Sequence, residues 1–247
     1  MIVLFTDYGV RGPYVGALHA VCATEAPGVP VVDLLHTVPA CNVRAGAYLL
    51  AAYGGHWFPP QTVFCCVVDP GVGGVRAALW IEADERHYVG PDNGLFELVL
   101  RHAGRKRVRQ ILWRPARLSP TFHGRDLFAP VAAMLARGGA PSAQPVLPLA
   151  ESQDWPDDLE QVLYVDDFGN LLTGIRAAGI LPTARLRIGP ASLPHAATYS
   201  AAAQGSLFWY GNANGLVEIG VPGGRAADLL GAGVGTPVRM EPVPRPG

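Results

Sequence analysis

Apolar residues in the first half of this chain come in short unbroken runs, and in the second half in shorter runs closely spaced by turn residues. Residues 2–6 are an apolar run that ends at Asp7, residues 29–35 are a second, and residues 62–68 are a third that ends at Asp69. Runs of this length, bounded by turn residues, predict buried strands. Between them the period lengthens. Pro13 sits where the first turn of a helix would tolerate it, and that helix is predicted to reach Ala26. Asn42 is the expected N-cap of a helix over residues 42–53. Residues 78–83 and 87–89 predict a hairpin, Asp92 the cap of a helix reaching Ala103, and residues 126–137 a last helix. Strands alternating with helices predict an α/β domain over residues 1–137 with a largely parallel sheet.

The rhythm breaks at Gly138. Residues 138–158 are rich in Pro, Gly, Ala and Ser with little periodicity, and are predicted to connect two domains. Short strand candidates follow at 161–165, 171–175, 184–188, 206–210 and 216–221. They predict a smaller antiparallel domain over residues 159–247, either a β-barrel-like fold or a sandwich.

With 49% hydrophobic and 16% charged residues, a disordered chain is excluded. A net charge of −1 gives no general attraction to nucleic acid or to an acidic membrane surface. Cys22, Cys41, Cys65 and Cys66 form no CxxC pair, so neither a zinc site nor a disulfide framework is expected. The opening MIVLFTDYG lacks a basic leader before an apolar segment, and no apolar run is long enough to cross a bilayer. The expectation is a soluble cytoplasmic protein.

Asp7 and Asp69 stand at the carboxyl ends of two predicted parallel strands, where open α/β sheets bind ligands. Each could serve a ligand or cap the next turn. In VVDPGVGGVR, residues 67–76, glycines let the backbone turn sharply and bring Arg76 back towards Asp69, either as a structural brace or as part of a site. The segment is neither a P-loop nor a GxGxxG turn. His123, in TFHGRDLFAP, could exchange a proton near neutral pH or bond a carbonyl in its loop, and Asp126 suits a helix start. GPDNGLF, residues 90–96, reads as a turn and a cap. In VDDFGNLLTGI, Asp166 could bind an amine, Phe168 could stack on a base and Asn170 could read an adenine edge, or the three could be hairpin-turn residues.

Together FTDYGVRGPYVG, VVDPGVGGVR, VGPDNGLF, FHGRDLFAP, VDDFGNLLTGI and NANGLVEIGVPGGRAADLLG resemble the S-adenosyl-L-methionine (SAM) hydroxide adenosyltransferases, SAM hydrolases related to the fluorinase and chlorinase enzymes. The resemblance implies an α/β domain joined to a β-barrel-like domain, and metal-independent hydrolysis of SAM to adenosine and L-methionine, with SAM as substrate and no cofactor. It implies homotrimers whose sites lie between the first domain of one subunit and the second domain of its neighbour. Asp69, Arg76 and His123 match the water-activating set, and Asp7 the carboxylate that holds the ribose. Asp166, Phe168, Asn170, Asn212, Glu218 and Val221 are assigned to substrate binding, and no residue to a metal. The chain departs from the family at Ala213, where relatives often carry serine, at Asn214, where halogenating relatives carry arginine, and at Gly12, commonly acidic. The alternatives are a non-catalytic SAM or adenosine sensor, a SAM-dependent halogenase, and a metal-dependent hydrolase using Asp7, Asp69, Asp92 and His123.

Overall fold

The computed structural model describes residues 1–55, 57–147 and 154–241. The chain divides into two compact units, Met1–Asp154 and Trp155–Gly247.

The first unit contains, in order, β1 (Ile2–Thr6), α1 (Tyr14–Glu25), β2 (Val31–Leu35), α2 (Val43–Tyr53), β3 (Val63–Val67), β4 (Ala78–Ala83), β5 (Arg86–Pro91), α3 (Glu97–His102), β6 (Lys106–Ile111), α4 (Ala129–Ala136) and β7 (Ala143–Pro145). Its sheet has the order β2-β1-β3-β5-β4-β6-β7. The first four strands are mutually parallel, and β4, β6 and β7 extend them antiparallel. Every residue of β1 and β3 is buried, because both faces of the sheet are covered. Ile2, Leu4, Val63, Cys65 and Val67 pack with Leu18 and Cys22 of α1 and with Val131, Ala132 and Leu135 of α4. Alternation turns Val3, Phe5, Phe64 and Cys66 to the other face, and there Phe64 stacks on Tyr88 at 4.9 Å.

Connections leave β1 towards β2 on one side, while β3 leads towards β4 and β5 on the other. The crevice between the carboxyl ends of β1 and β3 is therefore a topological switch point, where an α/β sheet leaves room for a ligand. Thr6 and Val67 are partners in register, so Asp7 follows β1 at the level where β3 ends.

Four expectations are corrected. The strand read as buried over residues 29–35 is the half-buried sheet edge β2, with Asp33 exposed. Asp92 does not cap a helix: α3 starts at Glu97 with Phe96 at the N-cap position. The helix expected from residue 126 begins as a π-helical turn, Gly124–Phe128, before α4, and Pro130, which lacks an N–H, falls where the two join. Within the stretch read as a connector, Ala143–Pro145 pairs with β6, and residues 148–153 lie outside the described residues.

The second unit holds β8 (Leu159–Val165), β9 (Leu171–Arg176), β10 (Arg185–Ile188), β11 (Ala191–Leu193), β12 (Phe208–Gly211), β13 (Leu216–Gly220), α5 (Ala226–Leu230) and β14 (Val238–Glu241). They form two antiparallel sheets, β12-β13-β9-β8 and β11-β10-β14. Isolated bridges join the sheet edges at Gln161–Pro237 and at His195–Trp209. The strands thus surround one core, containing Val162, Leu171, Leu186, Trp209, Val217 and Ile219, without a continuous ladder. Among the described residues no helix is long and apolar enough to cross a membrane.

The predicted cap at Asn42 is present, its side chain accepting from the Ala45 N–H at 3.0 Å. Asn42→Ala should lower stability by about 1 kcal/mol in urea unfolding, and Asn42→Ser should recover most of it. An alanine variant as stable as the parent would show that α2 does not depend on this cap.

Candidate active site

The two strand-end aspartates are held in different ways. Asp7 accepts, through Oδ2, the backbone N–H of Cys41 at 2.8 Å. Cys41 offers that N–H from a left-handed conformation, φ 59°, that is uncommon for a residue with a side chain. Burial pushes the Asp7 carboxyl up from its ordinary value, and the neighbouring charge of Asp69 adds to this, while the Cys41 N–H opposes it.

Asp69 is gripped by Arg76. Arg76 Nε donates to Asp69 Oδ1 at 2.8 Å, and Arg76 Nη2 donates to Asp69 Oδ2. The side chains are only 4% and 11% exposed, so this is a buried two-pronged ion pair. Arg76 Nη2 also lies 2.9 Å from His123 Nδ1. A guanidinium has no acceptor, so Nδ1 must accept, and His123 is the neutral tautomer with its proton on Nε2. Burial, and then the Arg76 charge, lower the His123 pKa from 6.5. The loop of residues 68–77 reaches His123 because Gly73, at φ 80°, lies against Pro120: a β-carbon there would overlap the Pro120 carbonyl oxygen. Asp126 is structural, accepting from Ser119 N at 2.8 Å and Arg125 Nε at 2.6 Å.

Asp7 and Asp69 open into a pocket of about 290 Å³, whose lining also includes Tyr8, Tyr14, Cys41 and Phe122. Arg76 and His123 do not line it; the buried pair presents Asp69 alone. The rings of Tyr8, Tyr14 and Phe122 pack against one another at 5.4–5.8 Å. Sequence reasoning overlooked these aromatics, although all three lie within the motifs that carried the resemblance.

The second unit has a cleft of about 750 Å³. The turn from β8 to β9 supplies Asp166, Phe168 and Asn170, β13 supplies Glu218, and Val221 follows it. Asp166 accepts from the Asn170 backbone at 2.8 Å and from its Nδ2 at 2.9 Å. Asn170 Oδ1 accepts the Tyr199 hydroxyl, so this amide is largely committed to holding the turn. Phe168, 78% exposed, offers an open ring face. Glu218 is buried and accepts from Tyr210 Oη and from Asn212 Nδ2, the latter at 2.9 Å. Burial raises the Glu218 pKa, with the charge of Asp166 adding to it. Asn212 does not line the cleft; its Oδ1 accepts from Asn214 N and Leu216 N, which places it as a brace for Glu218. Tyr199, Tyr210 and Arg225 line the cleft and were also overlooked, since nothing local distinguishes them. Among the described residues, no group of three or more His, Cys, Asp or Glu side chains could hold a metal ion.

Residues 2–144 match the family model of the SAM hydroxide adenosyltransferase N-terminal domain, and residues 160–239 that of its C-terminal domain. The (R)-S-adenosyl-L-methionine hydrolase of Salinispora arenicola is 39% identical, over 95% of each chain. The (R)-S-adenosyl-L-methionine hydrolase of Thermus thermophilus is 36% identical, over 97% of this chain and 98% of its own. The crystal structure of an uncharacterized conserved protein from Thermotoga maritima superposes with a TM-score of 0.83 and 30% identity, over 97% of this chain and 99% of that one.

The tautomer of His123 gives a direct test. In NMR titration its ring should show a midpoint below 6.5, lowered by burial and by the Arg76 charge. Its contribution to stability is then present above about pH 6.5 and is lost as pH falls through the folded-state midpoint, because the unfolded chain takes up the proton first. A midpoint at or above 6.5 would contradict the donated bond from Arg76.

Proposed function

Because this chain belongs to the SAM hydroxide adenosyltransferase family, we propose that a water held at Asp69 attacks C5′ of SAM, releasing L-methionine and leaving adenosine. The reaction is hydrolysis of SAM. An O–C5′ bond forms as the C5′–S bond breaks, the sulfur departs as a neutral thioether with the bonding pair, and the water proton passes through Asp69 to solvent. A sulfonium needs no acid on the leaving side, so the protein's task is to hold water in line and limit bulk solvent.

The observation that carries this reading is the buried Asp69–Arg76–His123 constellation beside Asp7. Arg76 uses two donors to fix the plane of the Asp69 carboxylate, leaving lone pairs on the pocket side for a water proton. Asp7, with Oδ2 already bonded to Cys41, directs its other oxygen to the ribose hydroxyls. Two carboxylates in one pocket attract a sulfonium and repel a halide, which favours hydrolysis over halide transfer.

Asp166, Phe168, Asn170, Glu218 and Val221 hold the adenine and methionine ends, supported by their shared cleft; Asn212 acts on the substrate through Glu218. SAM is the substrate, with neither a metal nor a resident cofactor required, and the enzyme works in the cytoplasm as a homotrimer. Each subunit supplies the Asp69 half of one site and the Asp166 half of another.

In halide-free buffer with chelator, the protein should convert SAM to adenosine, and ¹⁸O-water should place the label at the 5′ oxygen. Unlabelled adenosine would rule out this attack. Asp69→Ala should reduce kcat at least about a hundredfold with SAM binding largely kept. Asp7→Ala should instead weaken SAM binding by about tenfold to a hundredfold. Equal effects on kcat and binding in both variants would contradict this division.

Assembly is tested separately. Sedimentation should give a trimer, and mixing Asp69→Ala with Asn170→Ala subunits under exchange should restore activity that neither has alone. A fully active monomer would refute shared sites.

A further inference from the structure

On the hydrolase reading above, the substrate brings three charged groups: a sulfonium, an α-ammonium and an α-carboxylate. Only the carboxylate is anionic. The first unit's pocket is lined by two carboxylates and by no Arg, Lys or His among the described residues. The second unit's cleft is lined by Asp166, Glu218 and a single cation, Arg225. The family positions that depart at residues 213 and 214 cannot supply a charge, since they are alanine and asparagine and neither lines the cleft.

We propose that Arg225 binds the α-carboxylate of the methionine part of SAM, so that this enzyme selects an amino-acid substrate over its decarboxylated analogue. Arg225 is built into the cleft. Its stem lies against Gly169, where a β-carbon would stand 2.6 Å from Arg225 Cβ, and Gly169 has φ 81°, which further excludes a side chain. Gly169 O accepts from Ala227 N at 2.9 Å, joining the start of α5 to the turn that carries Asp166 and Phe168. Arg225 Nη1 donates to Asp167 O at 2.6 Å, and Nε donates to Asp228 Oδ2 at 3.1 Å. Those bonds orient the guanidinium and leave Nη2 without a hydrogen-bond partner among the described residues. Asp166 lines the same cleft, and its carboxylate, already accepting from Asn170 through both oxygens, supplies the negative charge that would face the α-ammonium.

The test compares SAM with decarboxylated SAM. Wild type should favour SAM in kcat/KM by about tenfold to a hundredfold, the range for a charge-assisted hydrogen bond. Arg225→Gln should raise KM for SAM more than KM for decarboxylated SAM, so that the ratio between the two substrates falls towards one whatever the common loss from loosening the turn, and Arg225→Lys should keep part of the preference. Calorimetric binding of both compounds in an Asp69→Ala background reads the same preference without turnover. An Arg225→Gln variant that retains the wild-type preference in binding overturns the proposal, even if SAM is hydrolysed normally. If the preference disappears on substitution while wild type releases no adenosine, the carboxylate assignment stands and the hydrolase reading fails.

Discussion

A carboxylate that is 4% exposed at the end of a central strand is tolerable only if its lost hydration is replaced, and Arg76 replaces it. Stripping water from the pair costs several kcal/mol per ion, so the geometry must be complete for the arrangement to persist. Completeness here means two donors on two oxygens, a further contact to His123 Nδ1, and the Phe128 ring 5.2 Å from the guanidinium carbon. Each contact has a consequence beyond its own energy. The paired donors orient Asp69 towards the pocket, and the contact to Nδ1 selects the histidine tautomer. The close approach of Gly73 to Pro120 is the backbone condition that lets the two loops meet.

Charge then differs between the two pockets. The first concentrates negative charge, enough for Asp69 to help raise the pKa of Asp7, and is lined as well by three aromatic residues packed against one another. The two carboxylates favour a cation such as a sulfonium. The second mixes acidic groups with one guanidinium and an open phenyl ring. The hydroxyls of Tyr199 and Tyr210 matter less as contacts than as supports, since they satisfy Asn170 and Glu218 and fix the cleft wall.

The strand ends, the cap at Asn42, the glycine-rich turn and the antiparallel second half were all legible in the sequence, because each rests on a rule reaching only a few residues along the chain. Asp7 and Asp69 could be placed together for the same reason: parallel strands that end in aspartate set both at one edge of a sheet. The sheet order was not legible. It made the 29–35 segment a half-buried edge and let residues 143–145 extend the sheet, and pairing between distant strands carries no local signature.

The sequence by itself determined the chemical inventory and its order: two strand-end aspartates, an arginine seven residues after one of them, a histidine before a helix, and an acidic aromatic turn in the second half. Tertiary structure decided what each does. It put His123 against a guanidinium 47 positions earlier, withdrew Arg76 and His123 from the pocket wall, made Asn212 a brace, and set Arg225 beside the Asp166 turn. Protonation, exposure and hydrogen-bond partners depend on which groups meet in space, and the meetings of Arg76 with His123 and of Arg225 with Asp167 join residues separated by tens of positions.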